Sequence, residues 1–140
     1  MPRKSASLMA STRPADEKIT INVSCVDLGQ IDLLVQEGFY ANRTDLIRTA
    51  IRNQLATQVD VVRQVVSSKS LVLGIQRYGA ADLQALQAAG QMLQIRVLGL
   101  AVIAPEVTPA LALATIESIT VLGALHASPA VKSALAERIH

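Results

Sequence analysis

Residues 18–24, Lys-Ile-Thr-Ile-Asn-Val-Ser, alternate strictly between polar and apolar side chains. In an extended chain Ile19, Ile21 and Val23 share one face, and Lys18, Thr20, Asn22 and Ser24 share the other. β-branched residues dominate the segment, which predicts a strand. Helical spacing follows at once, so the strand stands alone. A lone strand with one apolar face is not stable in water. It must find a partner, and the nearest candidate is the same strand of a second copy.

Residues 27–37 place Leu28, Ile31, Leu34 and Val35 at helical spacing, with Gly38 where a helix-terminating glycine belongs. Phe39-Tyr40-Ala41 forms a turn. Asn42-Arg43-Thr44-Asp45 then opens a second helix, with Asn42 as the cap and Asp45 near the positive helix end. Its apolar stripe runs through Leu46, Ile47, Ala50, Ile51 and Leu55. Val59, Val62 and Val66 continue the stripe and predict one long helix leaving the module.

The second half repeats itself. Val72-Leu73-Gly74 recurs as Val97-Leu98-Gly99 and as Val121-Leu122-Gly123, at offsets of 25 and 24 residues. Ala80-Ala81-Asp82-Leu83 corresponds in the same way to Ala104-Pro105-Glu106-Val107 and Ser128-Pro129-Ala130-Val131. Each unit is expected to be a short apolar strand, a glycine turn and a short helix. The third unit predicts a strand over 119–122 and a helix from Ser128 or Pro129 through Leu135, with Pro129 suited to the first turn. The fold class expected is α+β: an N-terminal strand–helix–helix dimer module followed by a small α/β repeat domain of solenoid type. The boundaries are a flexible basic arm over 1–15, the module over 16–57, a helical linker over 58–69 and the three-unit repeat over 70–140.

Composition narrows the function. The chain of 140 residues has one Phe, two Tyr and no Trp, so its core is aliphatic and it lacks base-stacking platforms. The net charge of +2 is too small to point to a polyanion; placement counts instead. Arg3, Lys4 and Arg13 sit in the N-terminal arm, while acids outnumber bases from Asp16 to Asp60. The single cysteine, Cys25, cannot form an internal disulfide, which fits a reducing cytoplasm, and Cys25 is expected to be an inert thiol near the strand end. No apolar run approaches the roughly 20 residues of a membrane span, and residues 1–15 have no signal-peptide pattern. His126 and His140 lack ligand partners at metal spacing, and no catalytic triad or phosphate-cradling loop appears. No metal, cofactor or enzymatic activity is expected.

Residues 17–57 resemble the ribbon-helix-helix family of CopG, Arc and MetJ type. The resemblance is carried by Lys18-Ile19-Thr20-Ile21-Asn22-Val23, by Gly38-Phe39-Tyr40-Ala41-Asn42-Arg43-Thr44-Asp45-Leu46-Ile47-Arg48 and by Ala50-Ile51-Arg52. It implies a homodimer in which two strands pair antiparallel, bury Ile19, Ile21 and Val23 with Leu46, Ile47 and Ile51, and enter the major groove of double-stranded DNA as a ribbon. Lys18, Thr20 and Asn22 then face base edges. Asn42, Arg43 and Thr44 at the start of the second helix meet phosphate, joined by Arg3, Lys4 and Arg13. Asp16 and Glu17 depart from this plan, because they place negative charge beside the DNA-reading strand.

The expected function is a sequence-specific transcriptional regulator, a repressor, whose repeats join dimers into larger assemblies. Two alternatives compete. One is an antitoxin with a toxin partner; toxin-wrapping tails are commonly charged and fold on binding, and this tail is aliphatic. The other is a self-assembling structural protein associated with DNA. Arg48 and Arg52, one turn apart on the second helix, are expected to be solvated or salt-bridging.

Overall fold

The computed structural model describes residues 16–140. Arg3, Lys4 and Arg13 lie outside the described residues, as does the whole basic arm. The described chain divides into two compact units, residues 18–65 on one side and residues 66–140 with Asp16 and Glu17 on the other.

Residues 16–24 run without helix or strand, so the strand expected over 18–24 is not formed in the single chain, and Ser24 is extended (φ −61°, ψ 152°). Helix α1 (Cys25–Gln36) begins there because the Ser24 hydroxyl accepts the Asp27 N–H at 3.1 Å. It ends in a Schellman motif: Gly38 takes φ +86°, its N–H reaches the Val35 carbonyl, and the Phe39 N–H reaches that of Leu34. Helix α2 (Arg43–Thr57) starts at Asn42 as expected, with the Asp45 N–H donating to Asn42 Oδ1 at 2.8 Å. The Asp45 carboxylate reaches back to the Ala41 N–H at 2.9 Å, so two orphan donors of the turn are satisfied reciprocally. The expected single long helix is interrupted: Gln58 (φ −107°, ψ 9°) closes α2, and α3 (Val59–Ser68) follows as a separate helix.

No residue from 18 to 65 is buried. Ile19 is 74% exposed and Ile21 66%, and Val23, Leu34, Ile51 and Leu55 are exposed as well. The single chain gives this unit no interior of its own.

The second unit supplies a complete core. Strands β1 (Val72–Tyr78), β2 (Leu93–Ile103) and β3 (Ile116–His126) form one parallel sheet in the order β1-β2-β3. The connections run through α4 (Ala80–Ala88) and α5 (Pro109–Thr115), and α6 (Pro129–Ala134) follows β3. Right-handed crossovers between successive neighbours put these helices on one face. There Leu83, Ala112, Val131 and Leu135 pack with Ile95, Val97, Ala101, Ile103 and Ile119 in one buried cluster. Each fully buried Leu, Ile or Val contributes about 1.5–3 kcal/mol. The chain end closes the far side: Ile139 bridges Ile119, the His140 N–H donates to the Ile119 carbonyl at 2.8 Å, and Arg138 Nη1 donates to the carbonyls of Leu113 and Ile116.

The sequence repeat is the sheet register. Val72, Leu73 and Gly74 pair with Val97, Leu98 and Gly99, and these pair with Val121, Leu122 and Gly123. Two expectations need correction. The repeating glycines are not turns: all three lie within strands, at φ +127°, +136° and +120°. A Cβ on Gly99 would run into the Gly74 carbonyl oxygen, and one on Gly123 into that of Gly99. At Gly99 and Gly123 the neighbouring backbone approaches too closely for any side chain, and at Gly74 the positive φ alone disfavours one. The second unit's helix also starts later than its repeat partners. Residues 104–107 form a turn with Val107 buried, and Thr108 caps α5 by accepting the Leu111 N–H at 3.1 Å. The third helix fits its expectation, with Ser128 as cap and Pro129 in the first turn.

Candidate nucleic-acid interface

Residues 18–24 are exposed at the polar and the apolar positions alike, Lys18, Thr20 and Asn22 as well as Ile19, Ile21 and Val23. None of the three polar residues has a side-chain partner among the described residues, so their donors and acceptors are available to a ligand.

At the start of α2, Asn42 and Asp45 hold the cap between them, which leaves the first helical N–H groups, those of Arg43 and Thr44, pointing outwards without intrahelical acceptors. Two free amides at a helix N-terminus suit an anionic oxygen. The Arg43 side chain, by contrast, is engaged. Its Nε donates to Asp32 Oδ1 at 2.7 Å and its Nη2 to Asp32 Oδ2 at 2.8 Å. This two-pronged pair ties α2 to α1 across the turn. The Arg43 hydrogen bond holds the Asp32 carboxyl below the usual carboxylate range, and the same bond holds the guanidinium pKa further up.

Of the residues expected to form the dimer core, Leu46 and Ile47 are half-buried, while Ile19, Ile21, Val23 and Ile51 are exposed. Arg48 and Arg52 are exposed and have no partner among the described residues. Cys25 is an exposed free thiol that opens α1 instead of ending a strand. Among the described residues no group of three or more metal-ligating side chains comes together, and no helix is long and apolar enough to cross a membrane.

Three features escaped the sequence reading. Ser24 caps α1; the Ser-x-x-Asp spacing from Ser24 to Asp27 carried that signal. Asp32 pairs with Arg43 from eleven residues away, which no local pattern announces. Glu17, seen only as an ill-placed acid, reaches His126, seen only as an isolated histidine, at 2.9 Å.

The model of the ribbon-helix-helix transcriptional regulator family matches residues 14–132, most of the chain. No curated protein and no solved structure matches it.

Proposed function

The chain belongs to the ribbon-helix-helix transcriptional regulator family, and from that premise we propose that it is a sequence-specific repressor that inserts a two-stranded ribbon, one strand from each of two copies, into the major groove. The observation that carries this is the absence of any buried residue between 18 and 65, combined with the exposure of Ile19, Ile21 and Val23 along one edge of an extended segment. A second copy supplies both the missing strand and the missing half of the core. In the ribbon, Lys18, Thr20 and Asn22 face base edges: Asn pairs with adenine, Lys donates to guanine, Thr meets either a base or a thymine methyl. The amides of Arg43 and Thr44, with Asn42 beside them, clamp a phosphate and fix the register. Arg3, Lys4 and Arg13 add phosphate contacts from the arm.

The parallel sheet joins dimers together. Its face away from the helices carries two apolar rows in register, Leu73–Leu98–Leu122 and Ile75–Leu100–Ala124. Leu73 is 65% exposed and Leu122 56%. The β3 edge is bridged by Ile139, which leaves β1 and this face for a second copy. A packed aliphatic core in this half favours the regulator over an antitoxin, whose tail would fold only around its toxin.

Selection of binding sites from random duplex DNA, followed by fluorescence polarisation across salt, tests the proposal. A single preferred, two-fold-symmetric site bound by an even number of chains is expected. Equal affinity for all duplexes would overturn it.

A further inference from the structure

At the carboxyl ends of the three strands lies an open, shallow cleft of about 350 Å³, lined by Arg77, Val102, Ile103, Pro105, His126, Ala127 and Ser128. Its volume lies at the small-ligand end of the range for binding pockets. Arg77, Val102 and His126 form one row across the sheet. With strands about 4.8 Å apart, the backbones of Arg77 and His126 stand roughly 10 Å from each other. That span places a cation on one side of an apolar floor and an imidazole on the other.

Arg77 is exposed and has no hydrogen-bond or ion-pair partner among the described residues. His126 already holds a carboxylate: its Nε2 lies 2.9 Å from Glu17 Oε1. The other acids at this end are occupied. Asp82 accepts the Gly79 N–H at 2.9 Å and Glu106 the Ala80 N–H at 3.4 Å. The Ser128 hydroxyl is spent on capping α6.

We propose that this cleft binds a small carboxylate with an apolar body, its head between Arg77 and His126 and its body on Val102, Ile103, Pro105 and Ala127, in competition with Glu17 for the His126 imidazole. Glu17 is the intramolecular stand-in for the ligand's head group. It also immediately precedes Lys18, the first residue of the extended segment. A ligand that takes His126 frees an unpaired negative charge next to that segment. Resting on the DNA-binding reading, the consequence is weaker DNA binding, because the released carboxylate repels phosphate.

The test uses the full chain without DNA, titrated with hexanoate while the Arg77 Nε–H and His126 ring resonances are followed by NMR. Saturable shifts at both are expected. Arg77→Gln should weaken hexanoate by about tenfold through loss of a charge-assisted bond, and Glu17→Gln should tighten it by removing the competitor. Both variants should melt at the wild-type temperature. Hexanol, without the charge, should not saturate. The proposal is overturned if hexanoate gives no saturable shift, if hexanol binds as well, if inorganic phosphate saturates where hexanoate does not, or if neither substitution changes the affinity. A separate arm adds hexanoate to the DNA complex: wild type should lose affinity and Glu17→Gln should not respond. If the chain binds no DNA, the titration without DNA still decides the cleft.

Discussion

Arg43 and Asp32 form a two-pronged ion pair, with N–O distances of 2.7 and 2.8 Å, across the turn between α1 and α2. The turn itself is set by Gly38 and by the Asn42–Asp45 cap. The pair therefore fixes how the second helix leaves a turn that is already formed, and it keeps a guanidinium beside the two free amides proposed to hold phosphate.

The Asp32 carboxyl should titrate below the ordinary range in a carboxylate-detected NMR experiment, and Arg43→Gln should return it to that range. Because the folded pKa is lowered, the pair's stabilisation is complete above the unfolded value and fades as pH falls through the folded one. Asp32→Asn should remove that acid-side dependence. Both groups are solvent-exposed, so only a small drop in melting temperature is expected.

If two copies pair through residues 18–24 as proposed, Ile21→Asp should abolish the dimer. Truncating an isoleucine buried in that pairing costs about 2–5 kcal/mol, and an unpaired carboxylate at the same place adds to that. Sedimentation should show monomers, and circular dichroism should show lost helix from the N-terminal unit with the sheet retained. A dimer that survives would place the interface elsewhere.

The three strand glycines should rank by what surrounds them. A Cβ at Gly74 would meet no other atom within 4 Å, so Gly74→Ala carries only the strain of φ +127°, about 1–3 kcal/mol. Gly99→Ala and Gly123→Ala add a collision with a neighbouring carbonyl, and should cost more than about 3 kcal/mol. Urea denaturation of the three variants measures the order.

Asn22→Ala should reduce discrimination for the selected operator by about 1–3 kcal/mol per ribbon strand. The loss should appear at one base position in each half-site, and binding to unrelated DNA should be unchanged. A uniform loss across all sequences would assign Asn22 to backbone contact instead.

Leu122→Lys should leave the fold within about 0.5 kcal/mol of wild type, since the side chain is already exposed. If the open sheet face joins dimers, light scattering should show the largest species reduced to a dimer.

Much of the fold was legible because it rests on local rules. Gly38, Asn42 and Asp45 marked the turn between helices. In the second half the recurrence of Val-Leu-Gly matched the strand register residue for residue, because in a parallel sheet of equal units a repeat offset and a pairing offset are the same quantity. The proposal that Lys18, Thr20 and Asn22 read bases rests on the alternation of residues 18–24, since side-chain direction in an extended chain follows from parity alone.

Contacts between distant segments decided the rest. Glycines in a repeat look like turns until the strands are laid side by side and the carbonyls of Gly74 and Gly99 fill the space of a Cβ. Asp32 with Arg43, and Glu17 with His126, are separated by eleven and 109 residues, and only a folded backbone brings them within hydrogen-bond reach. The alternation of residues 18–24 is thus written in the sequence, because an apolar stripe is a local pattern. The cleft belongs to tertiary structure alone, because a pocket exists only where three strands end together.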